Sequence, residues 1–312
     1  MKNSHIASRV VIAALPALAL LMGGCAVDTQ GTETTTEAEV GTTSQALSGW
    51  STFSWGTTTD LDGLDTNLPL NTWTCFLSGV AGDLSKGTSF DPKAVKSRSG
   101  VGGWLFDTTW HVFGHGGATQ DANGNRVWLN NPVNTGATCV PHPRIASATW
   151  ESTDQQTAAP VKITNLGDAR RQCFLTNLSG GFGLWNSANN YARVVRMSTV
   201  DATHPTTGWY VESNEQSGGG GGVAKLTASC VDFPTGTTFQ SNIVNASGTV
   251  AETTTIGAAL TGVKACGLAE IRGAFTQNSW TNGVVIKSPS TLNGSWTMTA
   301  SAGKYGRSTC AR

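Results

Sequence analysis

The chain has 312 residues with 20 basic and 20 acidic side chains, so its formal net charge is zero. Charged residues make up 13% of it, about half the usual share, while glycine alone fills 38 positions. No basic excess is available to hold a polyanion, which removes nucleic acid from the partners to be considered.

The first element is a leader. Lys2 and Arg9 form a positive segment, and Val10 to Met22 is apolar. That stretch is too short to span a bilayer comfortably and reads as a secretory signal peptide over residues 1–24. It ends in Leu21-Met22-Gly23-Gly24-Cys25, which resembles a bacterial lipobox. The resemblance implies lipid on Cys25 as the first mature residue. Met22 stands where the usual pattern has leucine, and Leu21 lies one position earlier. Cleavage after Ala26 is the alternative and would discard Cys25. Ala26, in place of aspartate, implies sorting to the outer membrane of a Gram-negative cell. Several acyl chains make a stable anchor.

Residues 25–45 are rich in threonine and glutamate and hold almost nothing to bury, so they read as a disordered tether. Beyond it, without Lys2, Arg9, Asp28, Glu33, Glu37 and Glu39, 18 basic and 16 acidic residues remain.

The body repeats itself. Cys75-Phe-Leu-Ser-Gly-Val-Ala-Gly-Asp-Leu84 returns as Cys173-Phe-Leu-Thr-Asn-Leu-Ser-Gly-Gly-Phe182 and again as Cys266-Gly-Leu-Ala-Glu-Ile-Arg-Gly-Ala-Phe275. The copies start about 95 residues apart, and such a period signals a repeated architecture. A β-branched patch with a basic residue follows each opener: Ala94 to Arg98, Ala192 to Arg196, and Val284 to Lys287. A tryptophan shortly after a glycine comes next, at Trp104, Trp209 and Trp296. A second cysteine closes each copy: Cys139, Cys230 and Cys310. Boundaries near Pro143 and Pro234 give units 46–143, 144–234 and 235–312, of about 80–97 residues each.

Six cysteines remain beyond Cys25, in a chain read as secreted, so disulfides are expected. Repetition leaves two sensible sets. One pairs each opener with its own closer, as Cys75–Cys139, Cys173–Cys230 and Cys266–Cys310. The other links neighbours, as Cys139–Cys173 and Cys230–Cys266, with Cys75–Cys310 closing the ring. The first is preferred because each unit then carries its own staple. No Cys-x-x-Cys pair supports zinc.

Helical periodicity is nearly absent after residue 45. Its best candidate, Thr253 to Lys264, is broken by Gly257 and Gly262. Alternation bounded by Asn-Gly and glycine-rich turns predicts four or five short strands per unit and an all-β fold. The units could pack around a pseudo-threefold axis, as in a β-prism or trefoil-like body, or lie as three small sheets in a row. The packed form is favoured.

Trp104, Trp209 and Trp296 are read as core anchors because they recur. Trp110 and Trp128 occur only in the first unit, with His111 and His115 beside Trp110, so these four are the candidate binding residues. Flat aromatic faces stack on sugars; capping the end of the first sheet is the plain alternative. His111 and His115 would align on a helix, but the surrounding glycines argue for a strand. There they would lie ~13 Å apart, too far to share a metal. Asp60 to Asp65 and Asp121 to Asn125 fall short of calcium loops and are read as turns. No nucleophile elbow, Walker loop or dinucleotide fingerprint occurs, so no catalytic residue and no cofactor is assigned. Glu151, Glu212 and Glu215 are among scattered carboxylates whose meeting the sequence cannot establish.

The Cys-Phe-Leu, Gly-x-Phe, Gly-Trp, Cys frame resembles secreted proteins and lipoproteins of Gram-negative bacteria. More remotely it is similar to domains at the tips of some pilus adhesins and phage fibres, where a trimer forms the binding end. Three copies in one chain would imitate that trimer. The resemblance implies adhesion or recognition, with an extracellular glycan or matrix component as partner and the membrane reached only through the lipid anchor. The alternatives are a secreted hydrolase with its site in the first unit, and a structural envelope component.

Overall fold

A computed structural model describes residues 42–47, 50–57, 64–82, 94–99, 109–115, 118–120, 122–123, 126–128, 133–153, 158–180, 188–214, 223–258, 260, 265–276, 282–290 and 294–312. The signal segment 1–24, Cys25, Trp104 and the 218–222 glycine run lie outside them. The described residues form strands and no helix, so the fold is all-β.

The first unit supplies β1 (Thr42–Leu47), β2 (Trp50–Thr57), β3 (Leu64–Pro69), β4 (Thr74–Gly82), β5 (Ala94–Ser99), β6 (Thr109–His115), β7 (Ala118–Gln120), β8 (Arg126–Trp128) and β9 (Val133–Val140). The second supplies β10 (Arg144–Thr153), β11 (Val161–Thr164), β12 (Arg171–Gly180), β13 (Tyr191–Met197), β14 (Gly208–Ser213) and β15 (Val223–Asp232). The third supplies β16 (Phe239–Ala246), β17 (Glu252–Ile256), β18 (Ala265–Gly273), β19 (Gly283–Lys287), β20 (Trp296–Ala300) and β21 (Lys304–Ala311). The second and third units thus hold six strands each among the described residues, more than the four or five expected. The extra strands precede the opening cysteine. In β16 and β17, exposed Ser, Asn, Glu and Thr side chains alternate with few buried apolar ones, which muted the period-two signal. β1 begins inside the 25–45 segment read as a tether, where Thr42, Thr43 and Ser44 pair with β2 as an added edge strand.

Three large antiparallel sheets result, with strand orders β1-β2-β9-β4-β19-β20-β17, β10-β15-β12-β5-β6-β3 and β11-β14-β13-β18-β21-β16; β7 and β8 form a separate ribbon. Every large sheet joins the leading, closing and opening strands of one unit to three strands of another. The first unit passes β5, β6 and β3 to the second, the second passes β13, β14 and β11 to the third, and the third passes β19, β20 and β17 back to the first. The seams are equivalent: Leu178 faces Val95, Ile271 faces Ala192, and Val80 faces Val284. Each of those first-named residues lies five positions after its opening cysteine. The boundaries near Pro143 and Pro234 therefore mark copies in the sequence, while Glu39 to Arg312 cluster as one structural body.

The repeated opener also has a repeated irregularity. Pairing with the closing strand shifts between Leu77 and Gly79, between Leu175 and Asn177, and between Leu268 and Glu270. One bulged residue in each copy, Ser78, Thr176 or Ala269, changes which face the following side chains meet. Upstream of the bulge the opener and closer cysteines are direct cross-strand partners. All three disulfides join an opener to its own closer: Cys75–Cys139, Cys173–Cys230 and Cys266–Cys310, each with Cα atoms 4.0 Å apart.

Within a unit, the two sets of strands stack as layers: β6 on β2 and β9, β14 on β10 and β15, and β20 on β16 and β21. In the first unit that interior gathers Cys75, Cys139, Ala137, Trp110 and Val112. The residue after each opening cysteine points the other way, toward the place where β4, β12 and β18 meet. Phe76 and Phe174 stack there, with ring centroids 4.1 Å apart. The third copy has Gly267, whose added Cβ would lie 2.3 Å from Phe76 Cδ2 and 2.9 Å from Phe174 Cδ1. Two rings fill the space, and the third position accommodates no side chain.

Candidate functional site

The sheet shared by the second and third units carries a connected cluster of charged and polar side chains. In β13, Ala192 and Val194 are buried in the layer interior, which puts Tyr191, Arg193 and Val195 on the opposite face. Register then aligns Glu212, Arg193, Glu270 and Arg307 across β14, β13, β18 and β21, so that charge alternates along the row. Arg193 Nε donates to Glu212 Oε1 at 2.5 Å, and Arg272 and Arg307 both donate to Glu270. The Glu212 and Glu270 side chains are 4% and 1% exposed. Burying either carboxylate without its guanidinium would be strongly unfavourable, so each buried acid fixes the arginines that donate to it.

One rung along, Arg272 lies between Tyr191 and Tyr305, 5.9 and 4.9 Å from their ring centroids, and Arg193 sits 4.6 Å over Tyr191. Burial, with nearby Glu212 or Glu270, pushes both phenols above their ordinary values.

The connection from β13 to β14 folds down onto this row. Asp201 Oδ1 accepts from the Thr203 hydroxyl and backbone and from the His204 backbone at 2.7–2.9 Å. Those bonds, the Thr203 hydroxyl foremost, lower the Asp201 carboxyl to about 2. His204, 7% exposed, is wedged between carboxylates: Nδ1 lies 3.0 Å from Asp201 Oδ1 and Nε2 lies 2.9 Å from Glu212 Oε2. Tyr210 meets the ring edge-on at 4.9 Å.

Beside the row opens a cleft of about 520 Å3, lined among others by Arg193, Arg196, Asp201, Ser241, Arg307 and Thr309. Arg193 and Arg307 are held by the buried acids. Arg196 is exposed and makes no hydrogen bond or ion pair among the described residues. Arg307 Nε and Trp209 Nε1, both on residues lining the cleft, are buried donors without an acceptor. Donors of this kind are uncommon in folded proteins and call for an explanation.

Of the first-unit candidates, Trp110 and His111 have described side chains, and they do not assemble such a site. Trp110 is 2% exposed, and its Nε1 donates to the Trp73 carbonyl at 2.7 Å. Its register explains this. Val112, Val211 and Met298 face Ser97, Val194 and Ile286, which lie two positions beyond the three seam residues. Trp110 therefore occupies the place of Trp209 and Trp296, which are buried too. It is the recurring core tryptophan of the first unit, the role assigned from sequence to Trp104, and its ring is unavailable for sugar stacking. His111 is 16% exposed, with Nε2 3.8 Å from Asp65 Oδ1 across the β3–β6 pair. His115 and Trp128 lie in β6 and β8, with side chains outside the described part. Among the described residues, no group of three or more His, Cys, Asp or Glu side chains is arranged to hold a metal ion.

The residues that build the cleft were in view but unconnected. Glu212 was one of several scattered carboxylates, and Arg193 and Arg196 belonged to a patch noted for its β-branched neighbours. Glu270 stands in the opener motif where the other copies have Gly79 and Asn177, and that change of type was the available signal.

No protein-family model matches the chain, and no curated protein matches it.

Proposed function

We propose that this protein is an extracytoplasmic binding module that recognises a glycan or matrix component through the cleft on the β13–β18–β21 face. The observation carrying this reading is a fixed set of donors at an open cleft: arginines immobilised by buried Glu212 and Glu270, next to the hydroxyls of Ser241 and Thr309. Groups held before the ligand arrives lose little freedom on binding it. The volume falls within the range of small-molecule sites. Three disulfides are consistent with an oxidising compartment. A lipid on Cys25 would hold the module at the outer membrane.

The hydrolase alternative gains little from this arrangement. Glycoside hydrolysis needs two carboxyl groups facing the scissile bond. Here Glu212 and Glu270 face guanidinium groups, and both ring nitrogens of His204 are engaged by carboxylates. The cyclic passing of strands also supports a pseudo-threefold axis through the Phe76–Phe174 stack, a β-prism-like arrangement in one chain. A glycan array probed with the full chain tests the function. Retention on one class of glycan is expected, and silence across soluble and insoluble glycans counts against the reading.

A further inference from the structure

Resting on that reading, we infer that the cleft selects acidic saccharides, with a single sugar carboxylate anchored on Arg196. The charge pattern carries the inference. Of the charged side chains lining the cleft, Arg193 and Arg307 are ion-paired with buried Glu212 and Glu270, Asp201 is engaged by His204, and Arg196 has no partner among the described residues. The unpaired positive charge of the lining is Arg196, because Arg193 and Arg307 are each already held by a carboxylate. Arg196 is exposed at the cleft wall and pairs with nothing among the described residues. A guanidinium in that state offers its planar fork to a carboxylate. One unmatched charge suits a monoanion better than a doubly charged phosphate ester.

The rest of the lining suits a sugar. Ser241 and Thr309 hydroxyls both donate and accept, and Asp201 stays ionised far below neutral pH and accepts from hydroxyl groups. A hexuronate residue, bearing one carboxylate and several hydroxyls, uses each of these; a neutral hexose leaves Arg196 without a partner.

Isothermal titration of the full chain with trigalacturonate, its methyl ester and neutral trigalactose decides the matter. The acid is expected to bind at least about tenfold more tightly than the ester, the usual worth of a charge-assisted hydrogen bond. Arg196→Gln should erase that difference, and Arg196→Lys should retain part of it. Arg196 is exposed, so both variants should melt as the parent does. Equal affinity for acid and ester, or an Arg196→Gln protein that still prefers the acid, overturns the inference. If trigalactose binds in that case, the glycan reading stands without it. Failure of all three ligands to bind overturns the inference, and whether the glycan reading falls with it is decided by the array.

Discussion

Asp201 ties the connection after β13 to the site, and its energetics can be tested by pH. Its carboxyl titrates at about 2 in the folded chain, against an ordinary value of 3.8. The depressed value means that ionised Asp201 favours the folded state. The stabilisation is complete above the ordinary value and is lost as pH falls toward 2. Asp201→Asn should therefore melt below the parent at pH 6, with the gap closing by pH 2; a gap independent of pH would refute the assignment. Trp110 provides a second test at this scale. As a core residue it should cost ~3–5 kcal/mol in urea denaturation when replaced by alanine. A ligand-stacking residue would lose binding at little cost in stability. This tryptophan also shows how sequence can mislead. Gly103-Trp104 copies the local string of Gly208-Trp209, but strand register, which no local string encodes, gives the equivalent place to Trp110. The charged row was hidden for the same reason. Arg193 meets Glu212 and Glu270 only because two different strand pairings place all three on one face.

The strands show what was legible. The opener motif and the closing cysteines were visible, and of the two cysteine pairings that repetition left open, the preferred one, opener with its own closer, is the one formed. The bulge was present as the extra residue between the recurring leucine (Leu77, Leu175, Leu268) and the next buried aliphatic, but its consequence needed the register. Deletion of Thr176 would remove the bulge in the second unit and turn Leu178 and the seam toward the wrong face. The deletion variant should lose its β-sheet circular dichroism signal or become sensitive to protease, and a native-like variant would show that the bulge is dispensable. The leading strands were least legible. They lie at or near sheet edges with one wet face, and Ser, Thr and Asn weaken the alternation there.

For the molecule as a whole, triplication could be read from the sequence, but the exchange of strands could not. A unit taken alone would expose both seam edges and lose the partner strands of its opener, so each copy depends on the next around the ring. The meeting place of the three opening strands is itself unequal: Phe76 and Phe174 stack there, and Gly267 of the third copy leaves them the room. Cyclic dependence implies that no unit can unfold while its neighbours remain intact. Differential scanning calorimetry of the full chain measures this most directly. A single transition, with equal calorimetric and van't Hoff enthalpies, is the predicted result; separate transitions assignable to the three sequence units would contradict it.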